Sequence, residues 1–138
     1  MKHALTFIFI TVCLLFVQNI SAQSNGYLLL GKWDLDHVVD TTNKTVDHTR
    51  RKFNFITDTT CNYMQNVTDI VSNIQAKYRY SFDNKISKDV IRIFDEETLF
   101  TQFIVERMTK DTLVLNEIDP EDKTKTTNRV HEFYVRKK

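Results

Sequence analysis

Residues 27–39 read YLLLGKWDLDHVV, a short apolar run followed by a stretch in which apolar and polar side chains alternate. From Trp33 onward the apolar residues recur at every second position, which is the period of a half-buried β-strand. A single strand of this kind cannot bury its apolar face alone, so the rest of the chain must supply strands that cover it. We therefore interpret this segment as the first strand of a small antiparallel structure.

Seven later segments carry the same alternation and recur about every ten residues, separated by polar turns. The clearest is 74–82, in which Tyr78, Tyr80 and Phe82 share one face with two smaller apolar residues. Regular spacing of this kind is typical of an all-β sandwich or barrel. The predicted strands are 27–39, 52–57, 60–67, 74–82, 88–94, 99–108, 112–117 and 129–137. We expect an eight-stranded antiparallel up-and-down β-barrel with almost no helix.

The first 22 residues have the composition of a secretory signal peptide. An apolar run extends from Ala4 to Val17 after a basic start, and the small residue Ala22 stands at the expected cleavage position. The run has about 14 residues, fewer than the roughly 20 that cross a bilayer as a helix. We expect cleavage after Ala22, a mature domain of residues 23–138 without a membrane span, and export to the periplasm or the medium.

Removal of the leader leaves a mature chain with balanced charge. Of the 138 residues, 116 remain, and they keep all 18 acidic residues and 18 of the 19 basic ones, because only Lys2 is lost. Nucleic-acid binding depends on clustered Lys and Arg, so this balance argues against a nucleic-acid partner. A chain of this length is expected to form one domain with a core large enough to fold without a disulfide.

The two cysteines carry no predicted modification. Cys13 lies inside the leader and follows Val12, whereas lipid attachment signals have a small residue at that position, so we do not expect lipidation. Cys61 is then the one cysteine of the mature chain and has no partner for an internal disulfide. We interpret Cys61 as a small apolar core residue with an inert thiol.

No set of residues in the sequence has the spacing of a catalytic, cofactor or metal site. The strong nitrogen and sulfur ligands of the mature chain are His37, His48, His131 and Cys61. None of them forms a paired metal-binding motif. The serines lack the glycine-flanked turn of a hydrolase, and the acidic pairs lie in predicted turns. We expect a protein that is not an enzyme and binds neither metal nor cofactor.

The motif Gly31-Lys32-Trp33 opens the first of eight predicted antiparallel strands in a chain with an export signal. In these respects the chain resembles the lipocalin-like (calycin) domains, and especially the short exported lipocalin-like proteins of Bacteroidetes. The resemblance covers nearly all of the mature chain. It implies that Gly31 and Trp33 close one end of the barrel, with the indole packed against an arginine, Arg136 by position and Arg129 as second choice.

The same resemblance implies that the barrel binds a small hydrophobic molecule. Candidates for the ligand-binding wall are the inward aromatic residues Phe53, Phe55, Tyr63, Tyr78, Tyr80 and Phe103. These rings could equally fill the barrel, since eight strands leave room either for side chains or for one small ligand. A filled barrel would instead act as a module that binds an envelope protein. An exposed outer patch around Phe100 and Ile104 would favour this second hypothesis.

Overall fold

The computed structural model describes residues 25–46, 50–67, 70–118 and 130–138. Its elements are a 3-10 helix (Gly26–Leu29) and the strands β1 (Gly31–Asp40), β2 (Arg50–Phe55), β3 (Thr60–Val67), β4 (Ile70–Asp83), β5 (Lys88–Asp95), β6 (Thr98–Met108), β7 (Thr112–Ile118) and β8 (Val130–Arg136). Each strand pairs antiparallel with the next, and β8 pairs with β1, so the sheet closes into an up-and-down barrel. The predicted fold class and the number of strands are confirmed.

The predicted strand boundaries differ from the structure by two or more residues at the start of β1, at both ends of β2 and at the start of β4, which begins at Ile70 instead of residue 74. Residues 27–30 do not extend β1, because Gly31 has φ +119°, a backbone conformation that breaks the strand and that glycine adopts without strain. β2 begins at Arg50, two residues before the predicted start, and this brings Arg51 into the sheet. The predicted signal peptide, its cleavage site and most of the predicted loop after β7 lie outside the described residues.

One end of the barrel, here called the Trp33 end, is covered by the 3-10 helix. Trp33 is fully buried, and its Nε1–H donates to the carbonyl oxygen of Leu29 at 2.7 Å. Arg136 is the cross-strand partner of Trp33, and its guanidinium carbon lies 4.3 Å from the centre of the indole ring. Arg136 also donates to the carbonyl oxygens of Leu28 and Leu30. The pair expected from the Gly-x-Trp motif is therefore in contact.

The middle of the barrel is filled by aromatic rings around Phe53. Its ring centre lies 5.2 Å from that of Tyr134, 5.3 Å from Tyr63, 5.5 Å from Phe55 and 5.7 Å from Phe103. Distances of this size are those of packed aromatic pairs. All five rings are buried, so side chains occupy the barrel at this level.

The described helix is short. Within the part of the chain that the structure covers, no helix is both long and apolar enough to cross a membrane.

Candidate functional site

Three charged side chains meet inside the barrel at the end opposite Trp33. We call Arg51, Glu117 and Glu132 the Arg51 cluster, and this part of the barrel the Arg51 end. Arg51 lies where β2 begins, Glu117 where β7 ends and Glu132 where β8 begins. Because neighbouring strands run in opposite directions, these three positions come together at the same end of the barrel.

The guanidinium of Arg51 bridges the two carboxylates. Its Nη1 donates to Glu132 at 2.7 Å, and its Nη2 donates to Glu117 at 2.8 Å. Two hydroxyls add to the network: Tyr134 donates to Glu132 at 2.6 Å, and Thr101 donates to Glu117 at 3.0 Å. Arg51 is only 5% exposed and Glu132 only 1%, so this is a buried ionic network.

The electrostatics of the cluster keep Arg51 charged and its tyrosines neutral. Burial alone disfavours the guanidinium cation, but the carboxylates of Glu132 and Glu117 outweigh burial, and the pKa of Arg51 lies above its ordinary value. Burial also raises the pKa of Tyr63, and burial together with Glu132 raises the pKa of Tyr134. Both phenols therefore remain hydrogen-bond donors at neutral pH.

One donor of the cluster is left without a partner. The Nε–H of Arg51 is buried, and no atom of the described residues accepts a hydrogen bond from it. Guanidinium carries five N–H donors in a fixed planar arrangement. The Nε–H can therefore bond only to an acceptor that lies along the direction of its own N–H bond. The flat face of the Arg51 guanidinium also packs on Phe103, because its central carbon lies 5.5 Å from the centre of the Phe103 ring.

An aromatic side chain borders the Arg51 end because of a bulge in β6. Phe94 pairs with Leu99 and Ile93 pairs with Thr101, so Phe100 has no residue directly opposite it on β5. Bulges of this kind redirect a side chain relative to the normal alternation. The ring of Phe100 lies 5.8 Å from that of Tyr63 and is 43% exposed. It therefore forms an accessible apolar surface beside the buried network.

The six predicted ligand-wall residues fall into two groups. Phe53, Tyr63 and Phe103 lie beside the Arg51 cluster, as the ring distances and the Arg51 contact described above indicate. The others lie away from the cluster: the ring centres of Phe55 and Tyr78 are 4.8 Å apart. The hydroxyl of Tyr78 donates to the carbonyl oxygen of Thr57 and that of Tyr80 to Asp89, so both have partners without a ligand.

Tyr78 and Tyr80 also border a surface depression of about 460 Å³. Its other walls include the charged side chains of Lys77, Arg79 and Glu96. Charges of both signs favour water over an apolar molecule. We therefore place the candidate site at the Arg51 end and not in this depression.

Sequence reasoning missed Arg51, Glu117 and Glu132, and it considered Phe100 only as part of an outer patch with Ile104. The first three stood at inward positions of the alternation, since Arg51 precedes Phe53 by two residues, Glu117 follows Leu115 by two and Glu132 precedes Tyr134 by two. Charged residues at buried positions on three strands are the signal that would have found the cluster. The bulge at Phe100 has no comparable signal, because its β6 segment is apolar on both faces.

The remaining candidate groups show no reactive arrangement. Among the described residues, no group of three or more His, Cys, Asp or Glu side chains is placed to hold a metal ion. Burial raises the pKa of the Cys61 thiol to about 12, so the reactive thiolate is scarce at neutral pH. The rings of His37 and Phe133 stack with their centres 4.5 Å apart, and Nδ1 of His37 lies 2.7 Å from Oδ2 of Asp36.

Comparison with protein-family models, curated proteins and solved structures found no match to this chain. The likeness to lipocalin-like domains therefore rests on the closed eight-stranded antiparallel barrel and on the Gly31-Lys32-Trp33 motif at its first strand. The barrel is consistent with a lipocalin-like fold.

Proposed function

We propose that this chain is an exported, non-enzymatic lipocalin-like protein that binds one small, largely apolar molecule at the Arg51 end. The observation that carries the proposal is the buried Nε–H of Arg51, which lacks an acceptor. A buried donor without a partner costs about 1–3 kcal/mol. A ligand that offers an oxygen to this donor would recover that cost on binding.

The two carboxylates of the cluster select the polar group of the ligand. The terminal nitrogens of Arg51 already donate to Glu117 and Glu132. An anionic ligand would bring another negative charge close to both carboxylates, in surroundings where like charges repel strongly. A neutral acceptor, such as a hydroxyl or carbonyl oxygen, would meet the Nε–H without this repulsion.

The apolar part of the ligand would lie against Phe100 and Tyr63. The ring of Phe100 is exposed at this end, and the rings around Phe53 fill the barrel below it. Burying apolar surface contributes about 25 cal/mol per Å², so covering one ring contributes appreciably to affinity. The ligand would therefore occupy the end of the barrel, above the aromatic core.

Matched retinoids test the proposed polarity of the site. Retinol and retinoic acid share their apolar chain but differ in a neutral and an anionic head group. We expect retinol to bind at least about tenfold more tightly, a difference of about 1.4 kcal/mol. Equal binding, tighter binding of the acid, or no binding together with no small molecule co-purified from the natural source would refute the proposal.

A pair of phenylalanine variants tests the location. Phe100→Ala is expected to weaken retinol binding, while Phe82→Ala should leave it unchanged. Phe82 is a suitable control because its exposure of 47% is close to the 43% of Phe100. It lies at the end of β4, away from the Arg51 end. Loss of binding in Phe82→Ala alone would contradict a site at the Arg51 end.

Export is supported by the composition of residues 1–22. The intact mass of the secreted protein tests it directly. We expect a chain that starts at Gln23 without lipid, and a mass that retains the leader or includes a lipid on Cys13 would contradict the proposal.

A further inference from the structure

The wall of the barrel is interrupted between β1 and β2, at the Arg51 end. The pairing of these two strands begins at Gly31 and ends at Asp34, which lies opposite Lys52. Beyond this pair, β2 continues through Arg51 and Arg50, which pair with β3 but not with β1. The ladder between the first two strands therefore covers only the half of the wall nearer the Trp33 end.

β1 leaves β2 at this level because it continues along β8. Residues 35–40 pair with β8, and a bulge lies at Asp36. On the other edge of β1, the described part of the chain supplies a partner only for residues 38–40, which are bonded to the returning segment 44–46. An opening is left between residues 35–37 of β1 and the start of β2, and we call it the β1–β2 gap.

A depression of about 400 Å³ lies at this gap, and residues from both faces of the wall line it. Leu35, Val38 and Arg51 point toward the interior, where they pack on the core, are buried or join the ionic network. His37 and Lys52 are 40% and 51% exposed. A continuous ladder keeps inward and outward residues on separate faces. The depression therefore leads from the surface into the wall, and its volume lies in the range of small-molecule sites, about 300–1,000 Å³.

The unpaired donor of Arg51 lies on the side of this gap. The two terminal nitrogens of the guanidinium extend across the barrel to Glu117 on β7 and Glu132 on β8. Nε is the guanidinium nitrogen nearest the backbone, and therefore the one nearest β2, whose edge borders the gap. An oxygen that enters through the gap can approach Nε without displacing either carboxylate.

The accessible side chains around the gap carry charges of both signs. Asp34 and Asp36 supply two carboxylates, Arg50 and Lys52 supply two cations, and His37 lies between them. An ionic group is repelled by the side chains of its own sign, and an apolar group would leave all of them without water. A hydroxyl can donate to a carboxylate and accept from a cation. A neutral group with several hydroxyls therefore fits this rim best.

We infer that the β1–β2 gap binds the head group of the ligand, and that this head group is a neutral, polyhydroxylated one such as the sugar of a glycoside. The inference rests on the proposed function, since the apolar part of the ligand still lies against Phe100 and Tyr63. The oxygen that joins chain and sugar accepts from the Nε–H of Arg51, and the hydroxyls beyond it bond to the rim.

Retinyl β-glucoside and retinol test this inference, because they share the apolar chain and differ in the head group. Fluorescence titration of the secreted protein should show at least about tenfold tighter binding of the glucoside. Asp36→Ala removes a rim carboxylate and should lower the ratio of the two affinities several-fold. Asp58→Ala is the matched control, because Asp58 is an exposed aspartate in the turn between β2 and β3, at the Trp33 end, and should leave the ratio unchanged.

The outcomes separate this inference from the proposed function. Equal or weaker binding of the glucoside beside tight binding of retinol would overturn the inference and leave the proposed function standing. Failure of both retinoids to bind would overturn both. A ratio that does not respond to Asp36→Ala, or that responds equally to Asp58→Ala, would contradict a head-group site at the β1–β2 gap.

Discussion

The two ends of the barrel are each organised by one arginine, but the partners of the two arginines differ. Arg136 stacks on Trp33 and donates to backbone carbonyl oxygens, all of which are neutral. Arg51 donates to two carboxylates inside the barrel and keeps one buried donor without an acceptor. At the Trp33 end, neutral partners accept the hydrogen bonds of the arginine, and the contact closes that end of the barrel. A buried ionic network with one unpaired donor can instead respond to a ligand.

The largest expected effect is at the Trp33 end. Trp33→Ala should lower the free energy of unfolding by roughly 3–5 kcal/mol, because it removes a fully buried indole and leaves a cavity. Urea unfolding monitored by circular dichroism measures the change. A loss below about 1 kcal/mol, the scale of surface substitutions, would mean that this end does not depend on the tryptophan.

At the Arg51 end, Arg51→Met should cost about 3 kcal/mol, because two carboxylates lose their shared cation in a buried site. The neighbouring Arg50 is exposed and provides the matched control, so Arg50→Met should change stability by no more than about 0.5 kcal/mol. Equal effects of the two substitutions would show that the network has no special role in stability.

Alanine substitutions at two glycines test whether the backbone conformation of Gly31 requires glycine. Gly31→Ala should cost about 1–3 kcal/mol, since φ is +119° and the new methyl group would lie 2.7 Å from an Nη atom of Arg136. Gly26→Ala meets its nearest atom, in Tyr80, at 3.4 Å and should change stability by less than about 0.5 kcal/mol. Thermal unfolding compares the two, and a larger loss in Gly26→Ala would contradict the assigned geometry.

The smallest effect concerns alkaline pH. Burial raises the pKa of Cys61 from 9.0 to about 12 and that of Tyr78 from 10.0 to about 12. Protons therefore leave the unfolded chain at lower pH than the folded chain, and stability is fully present below about pH 9 and declines as pH rises toward 12. Urea midpoints between pH 7 and 11 measure this decline, and constant midpoints would contradict it. Cys61→Ala should shift the onset to higher pH.

The period-two alternation predicted the eight antiparallel strands, and the resemblance to lipocalin-like domains supplied the expected contact between Trp33 and Arg136. Alternation fixes which residues share a face, and closure of an eight-stranded sheet makes the first and last strands neighbours. The Gly-x-Trp motif then located the indole at one end.

The alternation did not predict the cluster at the Arg51 end. Arg51, Glu117 and Glu132 are far apart in the chain, and their meeting depends on the register of β2, β7 and β8. The predicted β2 also began after Arg51, so the alternation that would have turned this residue inward was not applied to it. The ring of Phe100 is displaced by a bulge, which shifts the faces of β6 locally.

Two side-chain N–H groups test the central contrast in one NMR titration with retinol. The Nε–H of Arg51 has no acceptor, whereas the Nε1–H of Trp33 is bonded to Leu29. We predict that the Arg51 resonance moves downfield and saturates as it gains a hydrogen bond, while the Trp33 resonance stays in place. A saturable shift of Trp33 with an unchanged Arg51 resonance would contradict the assignment of a closed end and a ligand-binding end.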